Sequence, residues 1–118
     1  MAHAVVHWEI GAKDAATLET FYRDLFGWDI DASMPGYHLV AAAGDGIGGG
    51  IMQTPGGVPP YVTFYVTVDD LEAHLAKAER LGGKTIVPPT PIQNVGTFAM
   101  ILDPEEHVIG LMKMQEAT

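Results

Sequence analysis

The chain has 118 residues, with 6 Lys and Arg against 15 Asp and Glu, five His and no Cys. At that length one domain buries roughly two thirds of its unfolded surface. The formal net charge of −9 opposes nucleic acid and anionic membranes and attracts cationic small molecules, although acidity also serves solubility alone. Without cysteine there are no disulfides and no thiolate metal sites. The opening residues lack the basic flank and apolar stretch of a secretory signal, and no apolar run approaches a spanning helix, so the expected location is cytoplasmic.

In chain order, Val5, Val6, Trp8 and Ile10 predict a strand over residues 3–10, ending at Gly11. Asp14 then caps a helix in which Leu18, Phe21, Tyr22, Leu25 and Phe26 recur at three- and four-residue spacing, closed by Gly27. Residues 28–33, 37–42 and 47–53 supply three further strands, and the proline- and glycine-rich stretch 54–60 is a connector. Residues 61–68 alternate with period two, as a half-buried strand does. Asp69 or Asp70 caps a second helix, with Glu72 placed for a capping box from Asp69; its buried stripe is Leu71, Leu75, Ala78 and Leu81, and Gly82-Gly83 ends it. Strands over 84–87, 96–102 and 106–113 complete the chain, the last two joined by a turn at Asp103-Pro104-Glu105-Glu106.

Each half therefore reads βαβββ. The fold class is α+β, one domain over 1–118 with module one at 1–53, the connector at 54–60 and module two at 61–118. A shift of 56 positions lays residues 7–30 over 63–86, placing Trp8 on Phe64, Ile10 on Val66, Asp14 on Asp70, Gly27 on Gly83 and Ile30 on Ile86, but His7 on Thr63. Such a repeat lets each unit cover its partner's apolar face, with room for a cleft between them.

The repeat, with Glu9-Ile10, Phe21-Tyr22, Phe26-Gly27-Trp28, Val68-Asp69-Asp70-Leu71, Leu81-Gly82-Gly83 and the Asp103-Pro104 hairpin before Val108-Ile109-Gly110-Leu111, resembles the vicinal oxygen chelate superfamily. That group includes glyoxalase I, bleomycin-resistance proteins and extradiol dioxygenases, and the chain looks closest to its small bacterial glyoxalase-like members. The resemblance implies paired modules around a ligand cleft, and in metal-dependent members ligands on the first and last strands of each module. Carried over, those positions fall on His7, Thr63, Gly110 and a residue near Gly50 or Ile51, so only one of them is a competent ligand. A catalytic divalent site needs about three protein ligands, and fold similarity does not bring the metal with it.

Alternation puts His3, Val5, His7 and Glu9 on one face of the first strand, and Val6, Trp8 and Ile10 on the other, against the helices. His7 and Glu9 then look into the cleft with Thr63, Tyr65 and Thr67 and with Val108 and Met112, an apolar wall carrying a few polar groups. A plain hydrogen-bonded His7–Glu9 pair with no ligand is the competing reading. His3 and His7 stand roughly 13 Å apart on a strand and cannot share an ion. Gly44-Asp45-Gly46-Ile47-Gly48-Gly49 matches G-x-G-x-x-G, yet no helix follows to hold a phosphate, so it is a connecting loop. His74 and His107 read as surface residues, the parity of His38 is open, and the lone Ser33 lies beside a turn, leaving no convincing nucleophile.

The expected function is metal-free, cofactor-free small-molecule binding by a homodimer. His7, Glu9, Thr63, Tyr65, Thr67 and Met112 would contact a neutral or cationic, partly aromatic ligand stacked on Tyr65. The alternative is a metal-dependent lyase or isomerase, with His7 as general base or sole histidine ligand and Glu9 assisting proton transfer.

Overall fold

A computed structural model describes residues 2–92 and 94–115; Met1, Gln93 and residues 116–118, the last of these the end of the expected second module, lie outside the described residues. The elements run β1 (Val5–Ala12), α1 (Ala15–Phe26), β2 (Ile30–Met34), β3 (Tyr37–Val40), β4 (Gly49–Gln53), β5 (Tyr61–Thr67), α2 (Leu71–Arg80), β6 (Lys84–Ile92), β7 (Gly96–Leu102) and β8 (Val108–Met114). The order is α+β and βαβββ twice over. Two compact units divide the chain, His7–Thr63 and Met1–Val6 with Phe64–Thr118, so the divisions fall inside β1 and β5.

In the unit His7–Thr63 the strand order is β2-β3-β4-β1, with β1 parallel to β4 and the other neighbours antiparallel. Asp14 starts α1 by accepting from the Thr17 amide, and Gly27 ends it at φ 70°, a left-handed conformation that glycine adopts without steric cost. One sheet face packs under this helix. Ala12, Ala15, Val40 and Ile51 are buried there, ringed by Trp8, Leu18, Tyr22, Trp28 and Ile30. The stripe expected along α1 is only partly covered: Leu18 and Tyr22 pack inward, while Phe21, Leu25 and Phe26 stay 54%, 57% and 57% exposed. Their spacing wraps further round the helix than one sheet face reaches.

The register fixes the opposite face. Glu9 pairs with Gly50, Gly11 with Met52, and Tyr37 with Met52, so these residues share the side away from α1. The alternation expected for His7 and Glu9 against Trp8 is therefore what the strands adopt.

In the second unit the order is β5-β8-β7-β6, and Val68, Leu71, Leu75, Ala99 and Leu111 form the core beneath α2. The N-cap is Asp70, accepting from the Ala73 amide, rather than an Asp69–Glu72 capping box. Leu81 is the C-cap residue and 69% exposed, so it falls outside the buried stripe. Strand β6 runs five residues beyond the expected 84–87 despite Pro88, Pro89 and Pro91. It pairs with β7 on one side only, with two register shifts, and an edge strand tolerates prolines whose missing amides would not have bonded inward. Among the described residues no helix is long and apolar enough to cross a membrane.

Candidate functional site

Glu9 is the organising residue. It stands on the face of β1 away from α1, is only 2% exposed, and as a carboxylate can do nothing but accept hydrogen bonds. Burying an unpaired carboxylate is prohibitively costly, so its partners decide whether the strand folds. Tyr37 donates its hydroxyl to Glu9 Oε1 at 3.0 Å, and Tyr61 donates to Oε2 at 2.6 Å. Tyr61 also lies 3.6 Å from Met52 Sδ.

Two glycines admit those rings. A Cβ on Gly50 would stand 2.2 Å from the Tyr37 ring, and one on Gly11 would stand 2.1 Å from the Tyr61 ring. Each phenol therefore lies across a glycine beside Glu9, in space that any side chain would fill. His7 extends the chain of bonds, its Nε2 2.8 Å from the Tyr37 oxygen and its ring stacked on that of Tyr37 at 6.3 Å.

Tyr37 gives its proton to Glu9 and accepts from His7 when that imidazole carries its proton on Nε2. Burial holds the His7 pKa below its ordinary value, opposed by the charge of Glu9. Burial likewise raises that of Tyr61, reinforced by its bond to Glu9 and by the carboxylate charge, so this phenol keeps its proton. The arrangement is a continuous relay, His7 to Tyr37 to Glu9 and Tyr61 to Glu9, with the half-buried His7 and Tyr37 reachable at one end.

The second unit carries a counterpart in which the carboxylate is replaced by a phenol. Shifted by the repeat, Glu9 falls on Tyr65; strand pairing then matches Gly50 with Gly110, Met52 with Met112 and Tyr37 with Phe98. Tyr65 lies across Gly110, where a Cβ would stand 2.4 Å from its ring, and meets Phe98 edge-on at 6.2 Å. An acid with two phenols in one unit is thus an aromatic pair in the other.

Of the residues singled out in the sequence, His7 and Glu9 are brought together through Tyr37. Thr63 is buried at the end of the same unit. Tyr65, Thr67 and Met112 share one face of β5 and β8, with Tyr65 and Met112 buried, so stacking on Tyr65 would first need its covering removed. Tyr37 and Tyr61 escaped the sequence reading because their place beside Glu9 depends on register between distant strands. The signal that could have found them is Gly11 and Gly50, small residues opposite large ones on one face. His38 turns to the helix side and bonds to Glu19, which also holds Arg23; His107 bonds to Asp103 in the β7–β8 turn; His74 caps back to the Asp70 carbonyl and meets His3 edge-on.

The donors grouped around Glu9 in this unit do not make up a divalent metal centre. Among the described residues no three His, Asp or Glu side chains gather at one point. Glu9 already accepts a phenol on each oxygen; of the positions where the resemblance would look for last-strand ligands, Gly110 and Gly50 have aromatic rings where a side chain would start, and Ile51 is buried in the core beneath α1.

The chain is 41% identical over 77 residues to the "Putative glyoxylase CFP32" of Mycobacterium bovis and of Mycobacterium tuberculosis, a match spanning 64% of this chain and 30% of the length of those relatives. Its fold is similar to that of homoprotocatechuate 2,3-dioxygenase from Arthrobacter globiformis, with a TM-score of 0.69 at 18% identity over 97% of this chain and 37% of that one. It is also similar to the Mn(II)-bound glyoxalase from Novosphingobium aromaticivorans, with a TM-score of 0.66 at 14% identity over 99% of this chain and 44% of that one. With residues 4–111 matching its sequence pattern, the chain belongs to the Glyoxalase/Bleomycin resistance protein/Dioxygenase superfamily.

Proposed function

We propose that the protein binds a small molecule without a divalent metal, on the face that carries His7, Tyr37 and Glu9. The observation behind this reading is that Glu9, the one acidic residue on that face of β1, accepts a tyrosine hydroxyl on each of its oxygens. It is therefore committed to holding two rings in place. His7 and Tyr37 supply an apolar stacked surface with a polar edge, the mixture that small-molecule sites use. The net charge of −9 favours neutral or cationic ligands. A metal-dependent lyase or isomerase using His7 and Glu9 would have to break the Tyr37 and Tyr61 bonds to recruit the carboxylate, and among the described residues three His, Asp or Glu side chains do not gather at one point. A homodimer is the assembly we propose, since Phe21, Leu25 and Phe26 leave an apolar helix face to cover.

Isothermal titration of a panel of cationic and neutral aromatic compounds tests the reading. Saturable binding by at least one compound, weakened by His7→Ala and Tyr37→Phe, is expected. Binding indifferent to both variants, or stoichiometric metal in the purified protein that His7→Ala removes, would overturn it.

A further inference from the structure

Beside the start of α1, on the helix side of module one, lies a cavity of about 550 Å³. We infer that it is a second ligand site, built for a flat ring that carries a carboxylate, with Lys13 binding the carboxylate.

The strand order explains why the cavity exists. Ile10 pairs with Ile51, which is buried beneath α1, so Ile10 faces the same side. The helix, however, packs chiefly over β4 and β3. It leaves the β1 end of that face incompletely covered: Ile10 and Leu18 are half-buried, and Val62, at the start of β5, is 76% exposed. These three side chains and Pro60 form an apolar wall. Covering such a wall with a ring gains free energy in proportion to the apolar area removed from water.

The second unit shows what fits a place of this kind. A shift of 56 positions carries Leu18 onto His74, Val6 onto Val62 and His3 onto Pro59. In the second unit the imidazole of His3 meets the ring of His74 edge-on, with centroids 4.8 Å apart. The chain thus lays one of its own rings on the helix position that Leu18 takes in module one. Pro59 brings no aromatic ring to the matching place, and the cavity lies beside Leu18 instead. A planar ligand ring is the corresponding occupant.

Charge selects the rest of the ligand. The unit His7–Thr63 has two Lys or Arg residues, Lys13 and Arg23. Arg23 is paired with Glu19 inside α1, whereas Lys13 lines the cavity, is exposed and, among the described residues, enters no ion pair. Asp14 also stands at the rim, but its carboxylate is turned to Thr17, accepting the amide on Oδ1 at 3.1 Å and the hydroxyl on Oδ2 at 2.8 Å. The helix start is thereby capped, and the Lys13 ammonium is the group that answers an anion. The repeat sets Asp69 where Lys13 stands, so the sign at this position is reversed between the unit that supplies its own imidazole and the one that does not. The formal charge of −9 opposes an anion only at long range and is screened beyond about 10 Å at about 0.1 M salt. Ile10 and Glu9 point to opposite faces of β1, so this site stands or falls apart from the face of His7 and Tyr37.

Hydrocinnamate and 3-phenylpropanol serve as probes, one aromatic body ending in a carboxylate or a hydroxyl. Calorimetry is expected to show saturable hydrocinnamate binding about fivefold tighter than that of 3-phenylpropanol, the margin of one partly exposed ion pair. Lys13→Gln should erase the margin, while Lys84→Gln, at an exposed lysine of the other unit, should leave it. Val62→Trp, at a position exposed enough to accept the larger side chain, should narrow the cavity and weaken hydrocinnamate. Nitrogen-15 spectra of the wild-type protein should place the shifts caused by hydrocinnamate at residues 10–18 and 60–62. No saturable hydrocinnamate binding, a margin that survives Lys13→Gln or falls equally in Lys84→Gln, or shifts centred on His7 and Tyr37 instead, overturns the inference and leaves the proposal for the other face to its own test.

Discussion

Replacing Gly11 by alanine tests the Glu9 site through stability alone. The added Cβ would sit 2.1 Å from the Tyr61 Cε2, 2.5 Å from Cδ2 and 2.6 Å from Cζ, well inside contact distance for carbon. The ring cannot yield by a rotamer change, because its hydroxyl is anchored 2.6 Å from Glu9 Oε2. Either the ring moves and the bond to a buried carboxylate is lost, about 1.5–3 kcal/mol, or the strand shifts at an overpacking cost of about 1–3 kcal/mol. These are alternative routes and are not summed, so the expected loss is about 1–3 kcal/mol, or a fall in melting temperature of roughly 4–20 °C for a chain of this size. Gly56→Ala is the control: nothing lies within 4 Å of its Cβ and its φ is not positive, so its effect should stay within about 0.5 kcal/mol. Urea unfolding of Gly11→Ala, Tyr61→Ala and the double variant completes a cycle in which the Gly11→Ala cost largely vanishes once the ring is gone. If Gly11→Ala is no worse than Gly56→Ala, or costs as much without Tyr61 as with it, the account of how the glycines seat the tyrosines is wrong.

Stability is expected to fall as the pH drops below about 6.5, because the folded His7 binds its proton less readily than the unfolded one. The profile of His7→Gln should lack this slope while keeping the loss at more acid pH, where Asp14, Glu19, Asp31 and Asp103, all held below their ordinary values, take up protons. His38→Ala should lower the urea midpoint more than Arg23→Ala, since His38 ties β3 to Glu19 of α1 at 15% side-chain exposure while Arg23 pairs within its own helix at 44%; equal effects would contradict this. Added Mn(II) or Zn(II) should leave the melting temperature unchanged, and a saturable rise lost on His7→Ala would show a metal site that the donor set does not provide.

Much of the fold was legible because its signals are local. Asp14 and Gly27 cap α1 as a short polar residue and a glycine do, and the period-two alternation of residues 61–68 is the pattern that a one-sided strand must have. The errors also have local causes. Pro88, Pro89 and Pro91 argue against a strand unless it is known to lie at an edge, and two adjacent aspartates offer two equally plausible caps before α2. The candidate site was half legible. Alternation was enough to put His7 and Glu9 on one face, but the link between them runs through Tyr37, 30 residues from His7, and Tyr61, 52 residues from Glu9. No local periodicity encodes such partners, and they follow only once β3, β4 and β1 have settled into register.

The ring lying across Gly50 bears on how a site of this kind can change over generations. An acidic side chain at that position, the first step toward a metal centre in this unit, is admitted only after Tyr37 has shrunk. Losing Tyr37, however, removes a bond from Glu9 and one from His7 before any ion is present to compensate. A carboxylate at that position therefore calls for compensating changes around Glu9 and His7 as well as for the smaller residue at 37.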